Sequence, residues 1–583
     1  MTENAAFLNV TCSATGRRWA GPTDAQMRRA EAIAQATDLP RPVCMTLARR
    51  GVEPQEAPGF LAPALRDLLP DPRRLRHMER AAARFLAAIR AGERIAVFGD
   101  YDVDGAASSA LLLTWLRALG RDATLYVPDR IAEGYGPNAD AMRRLASAHD
   151  LIICVDCGTL AHDALAAAQG ADVLVLDHHL GSETLPPAHA VVNPNRQDEP
   201  GGLGHLCAAA VVFLMLVETR RQMRGTGLKG PDLMSMLDLV ALATVADVAA
   251  LTGVNRALVR QGLRVMAQRT RPGLVALADV ARLDTAPSAH HLGFVLGPRI
   301  NAGGRIGQAD LGARLLATSD PHEAAALAER LEALNGERRD MEAAVRAQAI
   351  EQAQARGMDG PLVWAAGDGW HPGVVGIVAA RLKEVANRPA VVIGLDGDIG
   401  AGSARSVSGV DIGVAIQRLA SEGLLVKGGG HPMAAGLQVS REMLAPAMDR
   451  LAALLARQGA DALGPADLNV DGLLMPQAAT TELIERLDAA GPFGAGAPAP
   501  RFAFADMAIL SARRIGDTHL RLTFGDGLGA RLDAVSFGAF DGPLGPMLHD
   551  HGGLRYHLAG RLEVNEWGGR RRAQLRLEDA ARA

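Results

Sequence analysis

Cysteine is scarce and odd in number, five in 583 residues. That excludes a disulfide-stapled scaffold and fits a reducing compartment, the cytoplasm. Lysine is rarer still, occurring only at 229, 383 and 427, so nearly all positive charge is arginine. A GC-rich coding sequence explains that bias, and the abundance of alanine agrees, so no function is read from it. No stretch of about 20 uncharged apolar residues occurs, which leaves no candidate transmembrane helix. The opening MTENAAFLNVTCSATGRRWAG lacks the basic-then-apolar layout of a signal peptide. An excess of either charge is missing too: the formal net charge is −4. The chain is therefore no bulk polycation, and a nucleic acid would have to be held by local basic patches.

The length exceeds what one ordinary core serves, so several domains are expected. Residues 1–70 hold one helical stretch, DAQMRRAEAIAQA, and several prolines; they read as an N-terminal extension packed on the domain next in sequence. From residue 71 to 305 short apolar runs (RIAVF, ATLYVP, LIICVD, DVLVLDHH) alternate with helical segments. Continuous apolar strands between helices predict an α/β, doubly wound, parallel-sheet domain. Residues 306–358 carry a long amphipathic linking helix, and 359–458 a smaller, glycine-rich α/β domain. From 462 to 583 apolar and polar residues alternate between turns, the pattern of a small β-barrel.

The segment GDYDVDG packs Asp100, Asp102 and Asp104 directly behind an apolar strand. Asp156 closes the strand LIICVD; Asp177, His178 and His179 close VLVLDHH. All stand at carboxyl ends of strands expected to be parallel, the edge where open α/β sheets bind ligands. Carboxylates brought together need a cation, and mixed Asp/His ligation suits Mn²⁺ or Mg²⁺ better than a thiolate zinc site. There are enough carboxylates for two ions. Two ions about 3.5–4 Å apart activate water and clamp an in-line displacement at phosphorus. One acidic turn would be unremarkable; three strand ends repeating the pattern are not. Asp100 either caps the turn or supports the metals from behind. A further carboxylate comes from DLVALATVADVAAL, where Asp247 stands among Ala and Val without an evident partner; Asp238 is either the ligand instead or a charge at the helix N-terminus.

In this order GDYDVDG, VDCG, LDHH and TVADV resemble the motifs of the DHH phosphoesterase superfamily, and within it the single-strand-specific 5′→3′ exonucleases. The resemblance runs from about residue 70 to the end and takes in VPDRIAEGYGPN, GPRINAGGRIG, GSARSVSGVDI, GGGHPMAAG and GRLEVNEWGG. It implies a DHH catalytic domain, a DHHA1 substrate-binding domain and an OB-fold. It also implies a two-metal nuclease that cuts single-stranded DNA to 5′-mononucleotides in repair and recombination. Carried over, it makes Asp102, Asp104, Asp156, His178 and Asp247 metal ligands, with Asp156 bridging. His179 steadies the site or touches the scissile phosphate. Many relatives hold a histidine ligand where this chain has Phe98, which leaves one ion a protein ligand fewer. Single-strand-binding protein and a helicase are the partners the resemblance suggests; no motif shows either.

Arg130, in PDRIAEGYG, lies at the metal edge; arginine suits bidentate phosphate binding, and the resemblance implies a role at the 5′-end phosphate. Tyr135, one of four tyrosines, sits in the same glycine-flanked loop and suits stacking on a base. GPRINAGGRIG offers Arg299, Asn301 and Arg305, with small residues that let phosphates approach the backbone. GSARS, with Ser403 and Arg405, and KGGGHPMAAG, with Gly429, Gly430 and His431, resemble the substrate-binding half of the family's second domain. Trp567 beside Arg570, Arg571 and Arg572 pairs an aromatic with charge in the barrel. Cys154 and Cys157 have redox spacing but straddle Asp156 at a strand end, so they read as core residues. Two other functions stay in view: a phosphodiesterase for short oligonucleotides, opposed by the extra β domain, and an inactive single-strand-binding scaffold, opposed by the intact acidic set.

Overall fold

The structure is a computed structural model that describes residues 5–130, 133–462, 464, 466–567 and 569–583. It comprises two compact units, one of residues 70–250 with 258–464, the other of residues 1–69, 251–257 and 465–583. The N-terminal segment contributes strand β1 (Arg18–Ala20), whose partner lies far along the chain.

Five strands then form a parallel sheet: β2 (Ile95–Gly99), β3 (Ala123–Tyr126), β4 (Leu151–Val155), β5 (Asp172–Leu176) and β6 (Ala190–Val192). Their order is β3-β2-β4-β5-β6. β2 and β4 are buried along their whole length, which is why they are written as unbroken apolar runs. The chain leaves β2 one way to reach β3 and crosses back to reach β4. Strand order therefore reverses between β2 and β4, and beyond their carboxyl ends lies the crevice where doubly wound sheets take ligands. The Val103–Ala118 helix springs from the end of β2 and is buried nearly all round. Gly105 in its first turn is required: a Cβ there would stand 2.4 Å from the Asp100 carbonyl oxygen.

The linking helix is a single element, Pro321–Arg356, of 36 residues. It begins later than the sequence suggests, because Leu311–Ala317 forms a helix of its own and Asp320 caps the long one just ahead of Pro321. Beyond it, β7 (Val363–Asp368), β8 (Ala390–Asp396), β9 (Ile399–Arg405), β10 (Lys427–His431) and β11 (Ala434–Ser440) make a mixed sheet in the order β10-β11-β9-β8-β7. Helices Ile412–Ser421 and Leu444–Ala456 cover one face. The Pro372–Ala386 helix covers β7 and β8 on the other.

The second unit contains β12 (Asp467–Asn469), β13 (Gly472–Leu473), β14 (Phe502–Ile515), β15 (His519–Gly525), β16 (Arg531–Ser536), β17 (Arg555–Trp567) and β18 (Arg570–Arg582). Pairing of β14 with β17 closes β14-β15-β16-β18-β17 into a five-stranded barrel, the architecture of an OB-fold. The N-terminal extension belongs to this unit, a correction to the expectation that it packs on its neighbour in sequence. β1 pairs in parallel with β12, and Ile33, Val43 and Leu47 share a core with Leu483, Phe502 and Phe504. Trp19 is fully buried, and its indole Nε1 donates to Asp579 Oδ2 at 2.9 Å. No described helix is long and apolar enough to cross a membrane.

Trp19→Ala removes a large buried ring and leaves Asp579 without its donor. It is expected to destabilise this unit by about 3–5 kcal/mol, seen as a lower urea midpoint for unfolding of the barrel. An unmoved midpoint would refute the shared core.

Candidate metal centre and nucleic-acid cleft

Every acidic residue placed at a strand end by the sequence lies in one cleft at the β2/β4 switch point. Asp102 caps the Val103–Ala118 helix, its Oδ1 accepting from the backbone N–H of Asp104 at 2.9 Å and Gly105 at 3.1 Å. Asp104, fully buried, caps a different helix: its oxygens accept from Ala208 N at 2.6 Å and Ala209 N at 2.8 Å, at the start of Ala208–Gln222. Asp156 follows β4 with a φ of 61°, a left-handed conformation that aspartate tolerates better than most residues. His178 Nε2 stands 3.2 Å from Asp156 Oδ1 and 3.7 Å from Asp104 Oδ2, and its Nδ1 is 3.8 Å from Asp247 Oδ2. Asp247 ends the Leu237–Ala246 helix and faces this cluster.

Three sets of donor atoms gather within 4.8 Å: Asp104 with His178 and Asp247, Asp156 with His178 and His179, and Asp100 with Asp102 and Asp156. Asp156 belongs to two of them. Its Oδ1 is buried with no hydrogen-bond partner, the approach of His178 lacking the alignment of a bond; Asp100 Oδ1 is orphaned in the same way. Burial and then neighbouring carboxylates push Asp100 and Asp247 up to about 8. The same two causes raise Asp104 and Asp156. Buried, mutually repelling oxygens that lack protein donors fit a hard divalent cation.

Asp177 is not among these donors. It is buried, and its Oδ1 accepts from His178 N at 2.7 Å and His179 Nδ1 at 2.8 Å, while Oδ2 accepts from Thr159 N at 3.0 Å. Burial works against its charge, but the bonds from His179 and Thr159 outweigh that and hold the carboxyl below its usual range. Burial also opposes charge on His179, yet the bond to Asp177 and its charge push the imidazole up to about 9. Asn195 Nδ2 donates to His178 O at 2.6 Å and Asn193 Nδ2 to His179 O at 2.8 Å. This support escaped the sequence reading; its trace is the NPN that follows β6.

The DNA-contact candidates divide. Arg130 donates through Nη1 to the Tyr101 hydroxyl and lies 5.0 Å over its ring. Arg305 Nη1 donates to Gly373 O at 3.2 Å, tying the first domain to the second. Arg405 Nη1 donates to Ser403 Oγ and Ala404 O, each at 2.8 Å. Arg130 lies within electrostatic reach of both Arg305 and Arg405. Tyr135 is 56% exposed, its hydroxyl donating to Asp156 O at 3.2 Å and its ring edge-on to His179. In the second domain Ser403, Gly436 and Gly429 form one cross-strand row, and Arg405, Ala434 and His431 the next on the same face. A Cβ at Gly429 or Gly436 would meet nothing within 4 Å, so backbone lies open there. Gly430 must stay glycine, because a Cβ would stand 2.4 Å from the Ala434 carbonyl oxygen.

Others are corrected. Arg299 is neutralised by Glu332 and donates to Val295 O at 2.6 Å, so it braces the linking helix. Asn301 Oδ1 accepts from Val103 N at 3.0 Å, which fixes the turn that carries Asp102 and Asp104. Asp238 forms a bidentate pair with Arg271 at 2.8 and 3.0 Å, which removes it as an alternative to Asp247. Arg571 pairs with Glu485 at 2.8 Å, and the side chain of Trp567 lies outside the described residues. Cys154 and Cys157 are free thiols in the core.

The DHH family N-terminal domain matches residues 94–244, the DHHA1 domain 359–457 and the RecJ OB domain 470–579. The single-stranded-DNA-specific exonuclease RecJ of Dickeya dadantii is 37% identical, the match covering 94% of this chain and 98% of that one. RecJ of Escherichia coli is 35% identical over 95% and 98%. Among solved structures, RecJ of Thermus thermophilus in complex with Mn²⁺ matches with a TM-score of 0.80 at 29% identity, covering 97% of this chain and 79% of that one. An exonuclease RecJ bound to manganese matches at 0.57 and 35% identity, covering 66% and 95%.

If a cation offsets the carboxylate repulsion, Mn²⁺ should raise the melting temperature of the unsubstituted chain. Asp156→Asn should melt a few degrees higher than that chain in metal-free buffer and gain little from Mn²⁺. Equal Mn²⁺ shifts in the two proteins would remove Asp156 from the metal site.

Proposed function

The chain belongs to the RecJ family of single-stranded-DNA-specific exonucleases, and from that membership we propose that its cleft releases 5′-mononucleotides from the 5′ end of a single strand. It is a metal-dependent hydrolase of single-stranded DNA. The observation that carries the polarity is the set of three arginines, Arg130, Arg305 and Arg405, beside the carboxylate cluster and held by neutral acceptors. Their charge is left for an anion, and a terminal phosphate presents more of it than an internal one.

Asp102, Asp104, Asp156, His178 and Asp247 would hold two Mn²⁺ or Mg²⁺ ions, Asp156 between them, with Asp100 completing the set on the Phe98 side. Bound there, the ions supply activation of water and neutralisation of charge developing at phosphorus. The chain's own groups do the rest. His179, kept protonated by Asp177, places a positive N–H beside the scissile phosphate. Tyr135 steadies His179 and offers a face to the terminal base. The glycine row on β10 and β11 lets the strand's backbone lie close against the second domain. Single-strand-binding protein and a helicase would supply the substrate, in the cytoplasm, where DNA repair and recombination take place.

With Mn²⁺ and strands labelled at one end, label at the 5′ end should be released first, and a 5′ phosphate should be preferred over a 5′ hydroxyl. Arg405→Ala should reduce that preference at least tenfold, about 1.4 kcal/mol. Release from the 3′ end first, or an unchanged preference, would overturn the polarity.

A further inference from the structure

A second groove, of about 480 Å³, runs beside the cleft between the linking helix, the Pro372–Ala386 helix and the turn His291–Leu296. That turn is a π-helix, a form uncommon in proteins and frequent at functional sites. Along one wall stand Asn335, Arg338, Arg339, Glu342 and Arg346. Their three- and four-residue spacing sets them on one face of the linking helix over about 16 Å.

Arg338 is only 8% exposed. It gives Nη1 to Glu342 at 2.6 Å and Nη2 to Asn335 Oδ1 at 3.1 Å, and its buried Nε has no acceptor. These bonds hold Arg338 as part of the wall, between its two exposed neighbours on the same helix face. Arg339 and Arg346 are exposed and hold no ion pair among the described residues. On the facing turn Phe294 is 71% exposed, held in place by stacking on His290 at 5.1 Å. Arg305 joins groove to cleft: it lines the groove and lies within electrostatic reach of both Arg338 and Asp102.

We propose that this groove binds the single strand beyond the nucleotides at the metal centre, Phe294 stacking on a base while Arg339 and Arg346 take successive phosphates. An open aromatic ring among guanidinium groups is the chemistry of sequence-independent single-strand binding. Glu342, the acidic residue on this wall, is already paired to Arg338, so the charge facing the groove is positive. The inference rests on the exonuclease reading and adds to it a hold on the uncut strand.

The test uses the full chain, Phe294→Ala, the double variant Arg339→Ala/Arg346→Ala, and Arg346→Lys. Binding of a fluorescent oligothymidylate of about thirty nucleotides is measured against salt in EDTA. The double variant should flatten the salt slope by about 1.4, two phosphates at roughly 0.7 each for a single strand, and Arg346→Lys should keep it. Phe294→Ala should weaken binding with the slope unchanged. With Mn²⁺, the ratio of kcat/KM on strands of about fifty nucleotides to that on strands of about four should fall at least tenfold in Phe294→Ala and the double variant. Slope and ratio both unmoved would overturn the groove. An unsubstituted chain that binds the oligonucleotide with the full slope yet never digests it would overturn the exonuclease reading and leave the groove standing.

Discussion

Three carboxylates brought out of water at one sheet edge, Asp100, Asp104 and Asp156, are the constraint on which the catalytic domain depends. The strand order sets it: β2 and β4 are neighbours with their connections leaving in opposite directions, so residues after each strand are forced toward one crevice. Once Asp100, Asp104 and Asp156 are buried there, desolvation and mutual repulsion favour protonation or separation. Hydrogen bonding meets part of the cost. Asp102 and Asp104 spend oxygens on helix N-terminal N–H groups, where the backbone dipole also favours negative charge. Asp156 and Asp100 each keep an oxygen without a hydrogen-bond partner among the described residues, a donor set that fits a divalent cation.

The same residues are thereby made rigid. Asp104 is fixed by the start of one helix and Asp102 by the start of another, and the turn between them is pinned from outside by Asn301. His178 and His179 are held through their backbone by Asn195 and Asn193 and through the ring of His179 by Asp177. Ligands that cannot rotate away hold a metal with little reorganisation. It also explains why the aspartate of the DHH triplet lies outside the donor set: its work is to orient the two histidines.

Much of this was legible in the sequence because it is local. Unbroken apolar runs gave parallel strands, and aspartates directly after them had to meet at the carboxyl edge. The parts that were not legible depend on partners distant in the chain. Nothing near Arg299 announces Glu332, nothing near Asp238 announces Arg271, and nothing near Trp19 announces Asp579. Phe98 shows both sides. The resemblance implies a histidine ligand here in many relatives, and the structure buries the phenylalanine against Tyr126 at 5.3 Å. Two residues on, just past the end of β2, Asp100 has a buried oxygen without a hydrogen-bond partner among the described residues, close to Asp102 and Asp156. Asp100, not the phenylalanine, thus joins the cluster of possible donor atoms.

A chain with a net charge of −4 must hold a polyanion by placing its arginines, not by having many. The placement follows one rule. Arg299, Arg271 and Arg571 are paired to carboxylates and are structural. Arg130, Arg305 and Arg405 are held instead by a phenol, a backbone carbonyl and a serine hydroxyl. A neutral acceptor fixes the direction of a guanidinium without cancelling its charge, so the full charge remains for phosphate. Three arginines with uncancelled charge thus stand beside the carboxylate cluster in a chain whose overall charge would not hold a polyanion.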